Sequence, residues 1–211
     1  MKASLYKYRT LLILCSVSLL LIGNQAMAIE KAKYEIVESD LDFEIRKYAP
    51  QIVAETFVEG DFEKVGNEGF RRLYDYISGN NRKKQSISMT APVTQEGESE
   101  KIAMTAPVNQ VRENNRWRIT FLMPSKYSMD ELPVPLDERV FLKEDPERLV
   151  AAIKYSGTWS KLRYNEKKSL LEDFIAERGL KVAGEAIWAR YDPPFMPWFL
   201  RRNEVLIPVV E

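Results

Sequence analysis

Leu41-Asp42-Phe43-Glu44-Ile45-Arg46 alternates apolar and polar side chains with period two. A strand with one wet face reads this way, because successive side chains point to opposite faces of a sheet. Pro50 interrupts the pattern, Gln51 to Val58 resumes it, and Gly60-Asp61 ends it. From Phe62 the period changes. Phe62, Val65, Gly69, Leu73 and Ile77 recur at three- and four-residue spacing, with Tyr76 beside them. This spacing predicts a helix from Phe62 to about Ser78, N-capped by Asp61 and stopped by Gly79-Asn80-Asn81. Ser86 to Val93 and Lys101 to Val108 flank a polar turn, Gln95 to Glu100, and read as a hairpin. Trp117 to Met123 alternates cleanly until Pro124, and residues 125–138 form a proline-containing loop.

The opening pattern then returns. Arg139 to Leu142 and Leu149 to Tyr155 read as strands around Pro146. Leu149-Val150-Ala151 stands as far before Gly157 as Ile52-Val53-Ala54 stands before Gly60. A second helix follows, capped by Asn165 and stopped by Gly179, with Leu170, Leu171, Phe174 and Ile175 as its core stripe. The last strands are Ala186 to Tyr191 and Glu204 to Val210. Two copies of strand-strand-helix-strands make an internal duplication the cheapest explanation. The expected fold class is α+β: a distorted antiparallel β-barrel of two duplicated halves, with two flanking helices outside.

The N-terminus follows another pattern. Lys2, Lys7 and Arg9 precede an apolar run from Leu11 to Gly23, and Ala26-Met27-Ala28 has the small-x-small form of a cleavage site. Residues 1–28 therefore read as a secretory signal peptide, with an uncleaved membrane anchor as the alternative. Cleavage leaves residues 29–211 as one domain, exported and periplasmic. It also removes Cys15, the only cysteine, so neither a disulfide nor a thiol nucleophile remains. The leader takes three of the 31 basic residues and none of the 31 acidic ones, so the remainder is acidic by three. That balance argues against nucleic acid as a partner.

There is no histidine in the 211 residues. This excludes Ser-His-Asp and Cys-His nucleophile systems, and the usual zinc and haem ligands. No pair of carboxylates stands out for acid–base work. Three constellations carry the candidate chemistry. Met89-Thr90-Ala91-Pro92-Val93 repeats as Met104-Thr105-Ala106-Pro107-Val108. Its prolines belong at strand ends or bulges, and its methionines either pack or line a pocket. Asn67, Arg71, Tyr74, Asp75 and Ser78 form an outer stripe on the first helix. The stripe is either a plain wet face or a seat for a carboxylate under an aromatic ring. Pro193 to Arg202 holds Phe195, Met196, Trp198, Phe199 and Leu200 beside Arg201 and Arg202, too apolar for a solvated loop. It packs on the barrel, walls a ligand, or meets a partner or lipid surface through Trp198-Phe199-Leu200.

Four of these segments together resemble the SOUL haem-binding protein family. They are Gly69-Phe70-Arg71-Arg72-Leu73-Tyr74-Asp75-Tyr76-Ile77-Ser78-Gly79-Asn80, the two Met-Thr-Ala-Pro-Val copies, Phe121-Leu122-Met123-Pro124-Ser125, and Tyr191-Asp192-Pro193-Pro194 through Arg201-Arg202-Asn203-Glu204. The resemblance spans roughly Tyr34 to Val210. It implies a duplicated, distorted barrel that binds haem or another tetrapyrrole between the first helix and the last strand-strand loop. Asn67, Arg71, Tyr74 and Ser78 would bound that crevice on one side, with Phe195, Met196, Trp198 and Arg201 on the other. The histidine that ligates iron in some family members is absent here, so Met196 or Met89 stand as axial candidates. Otherwise binding rests on apolar burial and Arg–propionate pairing. The implied role is a non-enzymatic carrier, buffer or scavenger. The alternatives are a hydrolase or tetrapyrrole-modifying enzyme on the same effector-binding-like fold, or an envelope module for lipid or protein. Nothing in the pattern sets the oligomeric state.

Overall fold

The computed structural model describes residues 29–84 and 98–211. The strands in chain order are β1 (Glu30–Lys31), β2 (Tyr34–Asp40), β3 (Phe43–Tyr48), β4 (Gln51–Val58), β5 (Asn81–Arg82), β6 (Thr105–Ala106) and β7 (Val108–Glu113). They continue with β8 (Arg116–Leu122), β9 (Val134–Pro135), β10 (Val140–Asp145), β11 (Arg148–Tyr155), β12 (Lys181–Val182), β13 (Ile187–Arg190) and β14 (Asn203–Val210). Helix α1 (Phe62–Ile77) follows β4, and α2 (Lys161–Glu177) follows β11. The main sheet runs β10-β4-β8-β7-β13-β14-β11-β3-β2, with β12 beside β14. All of its pairings are antiparallel.

Both helices cover one face of this sheet. The register pairs Gln110 with Ile119 and Trp188, Trp188 with Val205, and Val205 with Ile153, so these side chains point the same way. Leu73, Tyr76 and Ile77 of α1 pack there on Ala54, Ile119 and Phe121. Leu171, Phe174 and Ile175 of α2 pack on Ala151, Ile153, Val205 and Ile207. Each such buried side chain stabilises the fold by about 1.5–3 kcal/mol. Phe62, the first residue of α1, stacks on Trp188 with ring centroids 4.9 Å apart and joins the two clusters. Gly69 lets α1 lie close to the sheet, because a Cβ there would stand 2.4 Å from a side-chain carbon of Ile119.

The ladder is open, with β10 at one end and β2 at the other, so no closed barrel is found among the described residues. The sheet nevertheless curls. Only Ala49-Pro50 joins β3 to β4, and only Pro146-Glu147 joins β10 to β11. Two residues reach about 7 Å, so strands at opposite ends of the ladder meet at these corners. The strand order also reads the same backwards from β10 to β3 when β3 is exchanged with β10, β4 with β11, β7 with β13 and β8 with β14. Gly60 and Gly157, which follow the strands leading to each helix, share a left-handed φ of +133° and +136°.

Several expectations change. The strand expected from Leu41 to Arg46 is β3, preceded by its hairpin partner β2. Leu41 belongs to the turn between them, with φ +54° and 94% exposure. The first arm of the expected 86–108 hairpin, including Met89, lies outside the described residues. In the second arm, β6 pairs in parallel with β1. The hairpin in this region is β7–β8, closed by Asn114-Asn115 at φ +45° and +66°, a turn that asparagine tolerates. Helix α2 begins four residues before Asn165. Ser160 is its N-cap, its side chain accepting from the Arg163 amide at 3.3 Å. Leu170 is 43% exposed, and Tyr164 joins Leu171, Phe174 and Ile175 in the core instead.

Candidate functional site

Gly66, Asn67 and Phe70 lie on α1 where it faces the connection between β13 and β14. Between them is a cleft of about 340 Å³. Its walls are mainly apolar: Phe70 of α1, Met104 and Val108 around β6 and β7, Trp159 before α2, and Pro193, Pro194 and Phe195 of the connection. Phe70 is fixed from behind by Phe121, edge-on at 5.2 Å, and carries Tyr74 stacked outside it at 5.8 Å.

The cleft also takes in a cation. Arg190, the last residue of β13, is half-buried and lines it. The Arg190 guanidinium lies 5.4 Å from the ring of Trp159 and 4.8 Å from that of Trp188. Among the described residues it forms no salt bridge. Its one hydrogen-bond contact there is a long 3.4 Å approach to Gln110 Oε1, and its Nε is buried without a partner. Burial pulls its pKa down to about 10, a direction opposite to that of the paired arginines. Gly66 makes room for it: a Cβ there would meet both terminal guanidinium nitrogens, at 2.8 and 2.9 Å.

The Arg201-Arg202-Asn203-Glu204 run builds the wall. Arg201 stacks on Trp159 at 4.5 Å and donates to the carbonyls of Met196 and Pro194 at 2.8 and 2.6 Å. Asn203 accepts from Trp159 Nε1 at 2.8 Å. Glu204 is fully buried and accepts from Arg46, Arg202 and Tyr191 at 2.7, 2.6 and 2.7 Å. Tyr191 reaches the cleft wall, but its hydroxyl donates to Glu204, and burial raises its pKa far above the phenol range. Glu204 is pushed up by its burial, yet the guanidinium groups around it win and hold it below the usual carboxylate range. Neither group is free to act as a base at the cleft.

Of the residues expected to form the crevice, the structure brings Asn67 and Phe195 together in this cleft. Arg71, Tyr74 and Ser78 continue along the exposed side of α1, away from its lining. Trp198 stands outside on a single 3-10 turn, edge-on to Phe199 at 5.6 Å. Met196 and Arg201 brace the connection from within. Sequence reasoning missed Arg190 and Trp159. Gly66 was the available signal, because a small residue on a helix face marks close approach of another group.

Residues 29–208 match the family described as "SOUL heme-binding protein". The chain is similar to "Heme-binding protein 2" of Mus musculus, at 29% identity over 86% of this chain and 91% of the relative. It is also similar to "Heme-binding protein 2" of Homo sapiens, at 30% identity over 77% of this chain and 79% of the relative. Among solved structures it resembles the C-terminal domain of EcmrR, with TM-score 0.56, 12% identity, and coverage of 84% of this chain and 98% of that one. A structure named as a hydrolase from Listeria innocua gives TM-score 0.51 at 13% identity, covering 87% of this chain and 95% of that one. At these identities the structural likenesses concern the fold alone.

Proposed function

Because this chain belongs to the SOUL haem-binding protein family, we propose that it binds haem or a related tetrapyrrole, without catalysis, in the cleft between α1 and the 191–202 connection. The apolar cleft carries this reading. It sits where the family resemblance puts the ligand, and its walls suit a flat apolar body. Each Å² of apolar surface buried there contributes about 25 cal/mol. The volume is near the lower end of the range for small-molecule sites, so a macrocycle would keep one edge in solvent.

The donors present fit a loosely ligated iron. Met104 is the thioether in the cleft wall, and the chain has no histidine. Met196 is not part of the cleft lining, and Met89 lies outside the described residues. Bound haem supplies iron redox and ligand chemistry; the residues of this chain hold the macrocycle and shield it. The strand order and the paired glycines support descent from a duplicated unit. Residues 1–28 support export, and N-terminal sequencing of the envelope fraction should begin at Ile29. The exposed Trp198, Phe199 and Leu200 suit a peripheral membrane contact, which vesicle co-sedimentation would read.

Haem titration of residues 29–211, followed by tryptophan fluorescence, tests the cleft. Saturable quenching should weaken at least tenfold in Phe195→Glu. This residue is 84% exposed, so the change leaves the core intact. Unchanged affinity in both Phe195→Glu and the cleft-filling Asn67→Trp would move the site elsewhere.

A further inference from the structure

We propose that Arg190 is the anchor for a carboxylate of the cleft ligand, so that the site selects flat apolar molecules bearing an acid over their neutral esters. This rests on the reading of the cleft as the binding site. The observation behind it is a cation built in without its counter-ion. Buried guanidinium groups elsewhere in this protein are paired: Arg46 with Glu44 and Glu204, Arg118 with Glu55 and Asp145. Arg190 forms no salt bridge among the described residues, although leaving such a charge unpaired is costly; Asp192, the acid that also lines the cleft, accepts from the Arg202 amide. Four buried side-chain nitrogen or oxygen atoms lack partners among the described residues. One of them is Arg190 Nε. The guanidinium is therefore short of acceptors, and an entering carboxylate supplies two oxygens.

The guanidinium is also held in place. Trp159 and Trp188 flank it, and Asn203 fixes the Trp159 ring from its other edge. Gly66 opens the space beside its terminal nitrogens. A planar donor with its place set by packing suits bidentate recognition of a carboxylate. On a tetrapyrrole that group is a propionate.

Protoporphyrin IX and its dimethyl ester, in the same detergent buffer, provide the test. The native protein should prefer the acid. Arg190→Met should weaken the acid about 10- to 100-fold, the span for a lost charged hydrogen bond, and leave the ester within twofold. Without ligand, the same variant should melt at the same temperature or higher, because an unpaired buried charge has gone. Gly66→Ala is the second variant, should Arg190→Met fail to fold. Its methyl group displaces the guanidinium, so the acid should again lose affinity selectively. Equal losses for acid and ester, or no loss for either, would overturn the anchor while leaving the cleft reading intact. Failure of the native protein to bind either porphyrin would overturn both.

Discussion

Glu204 shows how a single residue is held against its own environment. Burial alone would keep its carboxyl protonated. Arg46, Arg202 and Tyr191 supply enough donors to reverse that and hold its pKa below the usual carboxylate range. The linkage has a definite sign. Between the lowered folded pKa and about 4.5, the unfolded chain holds the extra proton, so stability rises with pH there. The contribution is full above the unfolded value and is lost as pH falls through the folded one. Glu44, bonded to Arg46 and Lys154, shifts in the same direction. Urea unfolding from pH 7 to pH 3 should show a falling midpoint on the acid side. Glu204→Gln should cost about 1–3 kcal/mol at pH 7, the range for lost charged hydrogen bonds, since Arg46 keeps Glu44 as a partner, and flatten that limb. A wild-type midpoint that stays level down to pH 3, or a Gln variant as stable as wild type, would remove Glu204 from this role.

At the scale of elements, sequence period was a good guide wherever one face packs on the core. Phe62, Val65, Leu73 and Ile77 mark α1 because that face packs on the sheet. The start of α2 was misread for a local reason. Asn165 and Ser160 are both good caps, and Ser160 wins because Tyr164 must enter the core two turns before Leu171. Ser160→Ala should therefore destabilise the protein by about 1 kcal/mol. Asn165→Ala, at an exposed interior position, should stabilise it by a few tenths of a kcal/mol. Reversed signs in thermal unfolding would return the cap to Asn165. The same contrast explains the site. Asn67 and Phe195 were legible from a helical stripe and an aromatic run, each a local signal. Arg190 was not, because its neighbours Ala189 and Tyr191 give it the look of an ordinary strand end. Its meaning comes from Gly66, Gln110 and Trp159, which only the fold brings to it.

In the whole molecule, the two halves of the sheet correspond strand for strand in their order, and the apolar cleft lies against α1. The halves differ in one pair of connections. β7 and β8 are closed by Asn114-Asn115, with Glu113 and Arg116 in register. Their counterparts β13 and β14 have Arg190 and Asn203 in register, but the chain between them runs from Tyr191 to Arg202. That longer connection leans over α1 and makes the outer wall of the cleft. It is thus longer than the register of β13 and β14 requires. Replacing residues 191–202 with Asn-Gly, a dipeptide suited to a two-residue hairpin turn, should leave a cooperatively folding protein. Stability should fall, since Glu204 loses Arg202 and Tyr191, but Arg46 still donates to both of its oxygens, at 2.7 and 3.1 Å. Helix and sheet content by circular dichroism should stay near that of the native chain. Haem-dependent quenching should vanish, because Pro193, Pro194 and Phe195 have gone. A folded variant that keeps native haem affinity would show that the ligand never sat under this connection, and the cleft would lose its claim to the function.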